Sequence, residues 1–171
     1  MTTFNTRLAR PFKSAALPAA LLALGTLLAS ADGGLTVPAD FQHWYLANSL
    51  LVTKPHNQFG LIPGIHLIYV NPGGFERFEG GGSTPYPDGT VFVDDVRDFT
   101  LVDGGYPQGG RKFVTAMVRD AQKYASTGGW GFQAWPGGDP AKPIVNDPRK
   151  QCFACHMARK ANDYVFSTYL H

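Results

Sequence analysis

Cysteine is nearly absent from this sequence. Only two of its 171 residues are cysteine, Cys152 and Cys155, and they lie three positions apart. A bridge between them would be strained and would close almost no loop, so the chain lacks the disulfide framework that stabilises many small exported proteins. The two thiols are therefore expected to serve a local purpose.

Long hydrophobic runs are absent beyond residue 31. The one long run, at residues 15 to 28, follows three basic residues and precedes the small residues at 29 to 31. That order is typical of a secretory signal peptide, and the run is shorter than the ~20 apolar residues that span a bilayer. We expect cleavage after residue 31, a periplasmic or otherwise exported product, and one mature domain at residues 32 to 171 that does not enter the membrane.

An excess of positive charge is also lacking once this segment is removed. The full sequence has 15 Lys and Arg against 13 Asp and Glu, but three of the basic residues and none of the acidic ones fall in the first 31 positions. The mature chain therefore carries a net charge of about −1, which gives no reason to expect binding to nucleic acid.

Glycine, proline and aromatic residues are abundant, with 20 Gly, 13 Pro, 12 Phe, 7 Tyr and 3 Trp. Such a composition is typical of short elements joined by tight turns around an aromatic core. Alternating or β-branched stretches predict strands at residues 64 to 70, 90 to 96, 112 to 118 and 130 to 135. Because no long helix separates them, we predict an α+β fold: a mainly antiparallel sheet with short helices at the N-terminal end and at the cysteine-bearing C-terminal end.

Two further short helices are predicted from local signals. One begins at Asp40, an acceptable N-cap, and continues through Leu46. The other follows Asn71 and a proline, and three-residue spacing places Phe75 and Phe78 on one side of it.

The chemistry of the chain is concentrated at Cys152-Phe-Ala-Cys155-His156, which has the C-x-x-C-H pattern of haem attachment. Positions i, i+3 and i+4 of a helix share a face, so both thiols and the imidazole project to one side. The thiols can add to the two vinyl groups of one haem while the imidazole reaches its iron. The motif therefore predicts one covalently attached haem c, held by Cys152 and Cys155, with His156 as the axial iron ligand. Its second ring nitrogen should donate to a backbone carbonyl or a water.

Three other interpretations of the motif are weaker. A thioredoxin-like redox pair would begin a helix after an N-terminal strand, whereas this motif lies near the C-terminus behind a proline-rich loop. A zinc site needs a second pair of ligands at suitable spacing, which the remaining histidines do not form. A plain disulfide would be strained.

The sixth iron ligand has several candidates and no strong one. Met157 directly follows His156 and is poorly placed to reach the other face of the haem, while Met117 lies in a predicted strand, where methionine is usually a core residue. His66 alternates with apolar residues, which favours a satisfied core or surface histidine. The remaining imidazoles are His43, His56 and His171. We therefore expect an open or weakly occupied sixth position.

Six short segments carry a further signal through their order and spacing: Tyr69-Val-Asn71, Pro87-Asp-Gly-Thr90, Met117-Val-Arg-Asp120, Thr127-Gly-Gly-Trp-Gly-Phe132, the C-x-x-C-H motif and Asp163-Tyr-Val-Phe166. With them, most of residues 40 to 170 resembles the cytochrome P-460 family, including its cytochrome c′-β branch. The resemblance implies a mainly antiparallel β fold, a periplasmic homodimer and a five-coordinate haem that takes small ligands. Members of the P-460 type oxidise hydroxylamine and nitric oxide and carry a lysine bond to the porphyrin. Those of the c′-β type lack that bond and bind nitric oxide or carbon monoxide beneath a cap of phenylalanines.

The sequence departs from the P-460 type in one respect. The family lysine falls between Asn71 and the Pro-Asp-Gly-Thr turn, and residues 75 to 86 contain no lysine; the nearest, Lys54 and Lys112, belong to other segments. No cross-link is carried over. Phe75 and Phe78 fall in the interval that borders the distal face in relatives, so they are candidates for an apolar cap as well as for ordinary core aromatics.

Three functions follow as hypotheses. The first is a gas-binding haem protein that takes up nitric oxide, carbon monoxide or a similar small ligand as a scavenger or sensor. The second is an oxidoreductase acting on hydroxylamine or nitric oxide, and the third is an electron-transfer cytochrome with both axial positions filled. A redox-partner cytochrome and a second copy of the chain are the expected protein partners.

Overall fold

The computed structural model describes residues 34–58 and 60–170. The predicted signal peptide, its cleavage position and His171 lie outside the described residues. Within those two ranges, none of the helices has the length and apolar character that a membrane crossing requires.

Five strands form one antiparallel sheet, in which each strand pairs with the next along the chain. The strands are β1 (Tyr45–Val52), β2 (Gly64–Val70), β3 (Val91–Phe99), β4 (Gln108–Arg119) and β5 (Trp130–Pro136). Helix α1 (Pro72–Gly80) follows β2, and a C-terminal helical segment follows β5. This segment is a π turn at Arg149–Phe153, an α turn at Ala154–His156 and a 3-10 turn at Met157–Asn162; shorter 3-10 turns lie at Phe41–His43 and Ala125–Thr127. The α+β prediction is confirmed.

The helix predicted from Asp40 through Leu46 is wrong in its second half. A 3-10 turn occupies only Phe41–His43, and Trp44 has extended backbone dihedral angles. Tyr45 then opens β1, which pairs with β2. The backbone hydrogen bonds of this ladder replace those that a longer helix would have made.

The two faces of the sheet carry different clusters, because successive side chains of a strand point to opposite sides. We call them the aromatic face and the aliphatic face. The buried cluster of the aromatic face is Val70, Phe78, Tyr86, Phe92, Met117, Trp130, Phe132 and Val165. The buried cluster of the aliphatic face is Phe41, Val91, Val93, Val114, Ala116 and Trp135.

Helix α1 is seated on the aromatic face by Asn71. The Asn71 Oδ1 atom accepts the backbone N–H of Gly74 at 3.2 Å and that of Val91 at 3.0 Å, so it caps the helix and joins it to the start of β3. A Cβ at Gly74 would collide with the side chain of Thr90. The close approach that glycine permits brings the two phenylalanines of α1 onto the aromatic face.

A buried carboxylate, that of Asp95, lies on the aliphatic face. Asp95 is 1% exposed, and Arg97 and Arg111 both donate to it, with shortest distances of 2.7 Å. Burial raises the pKa of Asp95, but the hydrogen bonds and charges of the two arginines outweigh burial and hold the pKa below its ordinary value. Asp95 therefore stays ionised and fully paired.

Candidate functional site

Side-chain caps begin the C-terminal helical segment. The Oδ1 atom of Asp147 accepts the backbone N–H of Lys150 at 3.2 Å, and the Oε1 atom of Gln151 accepts that of Asp147 at 2.7 Å. These bonds satisfy amides that a helix start leaves without intrahelical partners. The C-x-x-C-H motif follows at once, so the prediction that a helical turn carries it is confirmed.

The imidazole of His156 is held in one orientation. Its Nδ1 lies 2.7 Å from the carbonyl oxygen of Tyr164, and because a carbonyl only accepts hydrogen bonds, Nδ1 carries the proton. Burial lowers the pKa of His156 more than the Tyr164 carbonyl raises it, which keeps the ring neutral and leaves a lone pair on Nε2. The predicted hydrogen bond from the second ring nitrogen to a backbone carbonyl is confirmed.

Aromatic rings surround this imidazole. The ring centroids of Phe132 on β5 and Phe166 in the C-terminal tail each lie 5.0 Å from that of His156. Phe153 and Tyr164 pack against each other at 5.1 Å on the same side of the sheet. The imidazole is therefore fixed by one hydrogen bond and by apolar packing at the border of the aromatic face.

The two cysteines differ in their surroundings. Both are free thiols; Cys152 packs against the aromatic cluster, and Cys155 is exposed. Burial, with a smaller contribution from Cys155, raises the pKa of Cys152 to about 11. A redox-active C-x-x-C pair needs a lowered thiol pKa, so this environment opposes the thioredoxin-like interpretation. Among residues 34–58 and 60–170, no group of three or more His, Cys, Asp or Glu side chains could hold a metal ion.

The donor set fits a haem of the c type. Two reduced thiols three positions apart and a neutral imidazole occupy one helical segment, and the rings of the aromatic face adjoin them. A porphyrin is a large, flat, mainly apolar group, which suits aromatic walls. Cys152 and Cys155 would hold the haem, and His156 would ligate its iron.

His66 is not available as an iron ligand, because both of its ring nitrogens have hydrogen-bond partners. It is 2% exposed, and its ring nitrogens lie 2.7 Å from Oδ2 of Asp94 and 2.8 Å from the carbonyl oxygen of Ile62. Both nitrogens are therefore occupied, and the interpretation of His66 as a satisfied core histidine is confirmed.

The other candidates for the sixth position are scattered. Met117 is buried in the aromatic cluster, whereas Met157 is exposed. His43 and His56 are exposed outside the sheet. Of the candidates in the described residues, only Met117 belongs to the cluster that Cys152 contacts.

Phe75 and Phe78 lie together on α1. The ring of Tyr169, from the C-terminal tail, meets them edge-on at 6.1 and 5.7 Å, and Phe75 stacks on Tyr45 with centroids 3.8 Å apart. Both phenylalanines therefore pack in the cluster that Cys152 contacts. Their role as a distal cap stays a prediction.

The sequence reasoning missed a polar cluster beside this site. The carboxylate of Asp163 accepts the backbone N–H of Tyr86 at 2.8 Å and lies 3.6 Å from Nε of Arg119. Arg119 also donates to the carbonyls of Tyr86 and Gly128, at 3.3 and 3.0 Å. Arg119, Gly128 and Asp163 belong to three of the six segments that carry the family resemblance. The joint occurrence of these segments in the sequence was the signal that could have indicated the cluster.

Asp94 was missed as well. It lies two residues from Phe92 on β3 and therefore points to the aromatic face. One of its oxygens pairs with His66, while the other is buried with no hydrogen-bond partner in the described part of the chain. Burial raises the pKa of Asp94 more than His66 lowers it.

The comparison with protein families gives a match over most of the chain. The family model described as Cytochrome P460 matches residues 38–167, a range that contains all five strands, α1 and the complete C-x-x-C-H motif. No curated protein matches the chain.

Proposed function

Because this chain belongs to the cytochrome P-460 family, and is therefore a haem-binding cytochrome, we propose that it is a periplasmic protein with one covalently attached haem c. Cys152 and Cys155 would hold the haem and His156 would ligate its iron. The sixth iron position would stay open and bind nitric oxide or a similarly small ligand.

The observation that supports this proposal most strongly is the state of His156. Its Nδ1–H donates to the Tyr164 carbonyl and its ring is neutral, so the lone pair on Nε2 is available to ligate a metal. The two thiols lie on the same helical segment. When bound, the haem supplies an iron that changes oxidation state and takes a small ligand.

The aromatic face supplies the selectivity in this proposal. Phe75 and Phe78 would form an apolar cap over the ligand. An apolar cap disfavours water and anions, which lose hydration on entry, and admits a neutral diatomic molecule, which has little hydration to lose.

Oxidation of hydroxylamine or nitric oxide is the second candidate function, and Asp94 is the observation that favours it. A carboxyl group on the aromatic face with one buried oxygen and a raised pKa is able to hold or move a proton. The absence of lysine from residues 75 to 86 weighs against this candidate.

A redox-partner cytochrome with an acidic surface is the protein partner we propose. The C-terminal helical segment exposes Met157, and Phe166 beside it is also exposed. Four basic residues of the same segment are also exposed: Arg149, Lys150, Arg159 and Lys160. Of these, Lys150 pairs with Asp147 at 3.4 Å. Positive and apolar side chains exposed on one segment attract an acidic partner, and the association rate should fall as salt is added.

We also propose a homodimer formed through β1. This strand lies at one edge of the sheet and exposes Tyr45, Leu46, Leu50 and Leu51, whereas at the other edge the carbonyl of Ala134 accepts the backbone N–H of Ile144 at 3.0 Å. An apolar, unpaired edge favours pairing with another chain. Sedimentation should give a dimer for the wild type and a monomer for Leu46→Lys, while Leu61→Lys, on an exposed turn, stays dimeric. A monomeric wild type would contradict this proposal.

The experiment that tests the proposed function is an absorption spectrum of the purified ferrous protein with and without carbon monoxide. An ordinary c-type spectrum that changes on adding carbon monoxide supports the open sixth position. A red-shifted main band signals a porphyrin cross-link and favours the enzyme, and a spectrum that does not respond means six-coordinate iron and an electron-transfer role.

A further inference from the structure

The carbonyl that orients His156 belongs to an unusual turn. Asp163 has φ 47° and Tyr164 has φ 67°, so two consecutive residues other than glycine adopt the left-handed conformation. Side chains with a Cβ rarely adopt it, because the Cβ crowds the backbone. Contacts from the surrounding structure must therefore hold this turn.

The Asp163 side chain makes those contacts. It is 8% exposed; its Oδ2 accepts the Tyr86 backbone N–H at 2.8 Å, and Arg119 forms an ion pair with it at 3.6 Å. Asn162 holds the other end of the turn, since its Nδ2 donates to the Val165 carbonyl at 2.8 Å.

Arg119 is itself locked in place. Its guanidinium lies 5.7 Å from the centre of the Trp130 ring and donates to two backbone carbonyls. A Cβ at Gly129, which has φ +87°, would collide with this guanidinium. The anchor of Asp163 is thus built into the end of β4 and the turn before β5.

We infer that Asp163 is a positioning residue for His156: anchored by Arg119 and the Tyr86 amide, it fixes the turn that aims the Tyr164 carbonyl at Nδ1. This inference rests on the proposed function, in which His156 is the iron ligand. A firm hydrogen bond at Nδ1 makes Nε2 a stronger donor, which favours the oxidised metal and lowers the reduction potential. Loosening the turn should therefore raise the potential.

The test uses the haem-loaded protein and two substitutions of Asp163. Asp163→Gly keeps a residue that adopts positive φ easily but removes the anchor, whereas Asp163→Asn keeps an oxygen for the Tyr86 amide and removes only the charge. For Asp163→Gly we expect the equilibrium between oxidised and reduced protein to shift about tenfold toward the reduced form, about 59 mV for a one-electron couple. Asp163→Asn should shift it in the same direction by less. Resonance Raman spectra should show a weakened bond between iron and histidine.

The matched control is Asp95→Asn, which removes a buried, arginine-paired carboxylate from the aliphatic face. It should lower stability and leave the potential unchanged. A wild-type potential in Asp163→Gly, or an equal shift in Asp95→Asn, overturns the inference. If Asp163→Gly does not accumulate, Arg119→Gln replaces it, since it removes the charged partner and keeps Asp163; an unchanged potential there is equally contrary. Two failures can be told apart. If the wild-type protein carries no haem, the proposed function is refuted. If the wild-type protein carries haem but the potentials of the variants equal the wild-type potential, only this inference is refuted.

Discussion

Two neighbouring carboxylates show how the faces of the sheet differ. Asp95 points to the aliphatic face, where both of its oxygens are bonded to arginines and its pKa is lowered. Asp94 points to the aromatic face, where one oxygen is buried with no partner among the described residues and its pKa is raised. The hydrogen bonds of Asp95 therefore stabilise the fold, whereas Asp94 retains an oxygen that is able to take part in proton transfer.

The same contrast extends to the clusters around them. The aliphatic face packs four small aliphatic side chains against Phe41 and Trp135 and ends at the arginine-bound carboxylate. The aromatic face packs rings against α1 and against a helical segment that carries two thiols and a neutral imidazole. Stability should therefore depend strongly on the aliphatic face, and spectroscopic properties only on the aromatic face.

The largest effect is expected from His156→Ala. The haem should stay attached through the two cysteines, but the variant should lose the absorption spectrum of normal axial ligation because no other side chain replaces the imidazole. Absorption and magnetic circular dichroism spectra measure this change. His43→Ala, which removes an exposed histidine, is the control and should keep the wild-type spectrum; a wild-type spectrum in His156→Ala would contradict the assignment.

Asp95→Asn should separate stability from spectroscopy. Removing this charge leaves two arginines without their charged partner, so the free energy of unfolding should fall by about 2–4 kcal/mol while the haem spectrum stays the same. Urea unfolding measures the loss. Asp139→Asn, which removes an exposed partner of Lys142, should leave the urea midpoint unchanged. An altered haem spectrum in Asp95→Asn would mean that the two faces are not independent.

Phe75→Ala should change ligand entry. An aromatic contact contributes about 0.5–1.5 kcal/mol, so removing this ring from the proposed cap should raise the association rate of carbon monoxide roughly two- to tenfold. Flash photolysis gives the rate. Phe99→Ala removes a ring that packs on Tyr106 outside the aromatic cluster and should not affect the rate. An unchanged rate in Phe75→Ala would remove Phe75 from the cap.

The smallest effect is a pH dependence that arises from His66. Burial lowers its pKa, but the hydrogen bond and charge of Asp94 and the Ile62 carbonyl outweigh burial and raise the pKa above 6.5. The folded state thus binds this proton more tightly, so its stabilisation is complete below pH 6.5 and is lost as the pH rises through the folded-state pKa. The raised pKa of Asp94 has the same sign, since its stabilisation is also lost as the pH rises, whereas the lowered pKa of Asp95 acts in the opposite sense and its stabilisation is lost as the pH falls below 3.8.

His66→Gln provides the measurement. Urea midpoints of the wild type should fall as the pH rises above 6.5, and those of His66→Gln should fall less. Parallel curves for the two proteins would show that His66 does not titrate in this range.

The fold was predictable wherever a strand shows its burial in the sequence. Strands β2 to β5 contain β-branched and aromatic runs, and α1 has Asn71 as its cap, so these elements were identified. Strand β1 was not, because it is an edge strand exposed along most of its length and its apolar residues do not alternate. Asp40 was therefore interpreted as the N-cap of a longer helix, whereas the structure has only a 3-10 turn at Phe41–His43.

The site was predictable to the extent that its chemistry is local. Cys152, Cys155 and His156 lie within five consecutive positions, so helix geometry alone predicts that they share a side. The turn that carries the Tyr164 carbonyl depends on the ion pair between Asp163 and Arg119. Arg119 is placed for this ion pair by the pairing of β4 with β5, which is not a local feature of the sequence. The positive φ angles of Asp163 and Tyr164 depend on that ion pair as well, and local sequence preference disfavours them.

Covalent attachment of haem is tested by the mass of the exported protein, measured under denaturing conditions after production in cells that assemble c-type cytochromes. We expect the wild-type chain to be heavier than the processed polypeptide by one haem and to keep its colour when denatured, while the variant with both Cys152→Ala and Cys155→Ala does neither. A wild-type chain without the added mass, or colour that survives denaturation in the double variant, would contradict covalent attachment.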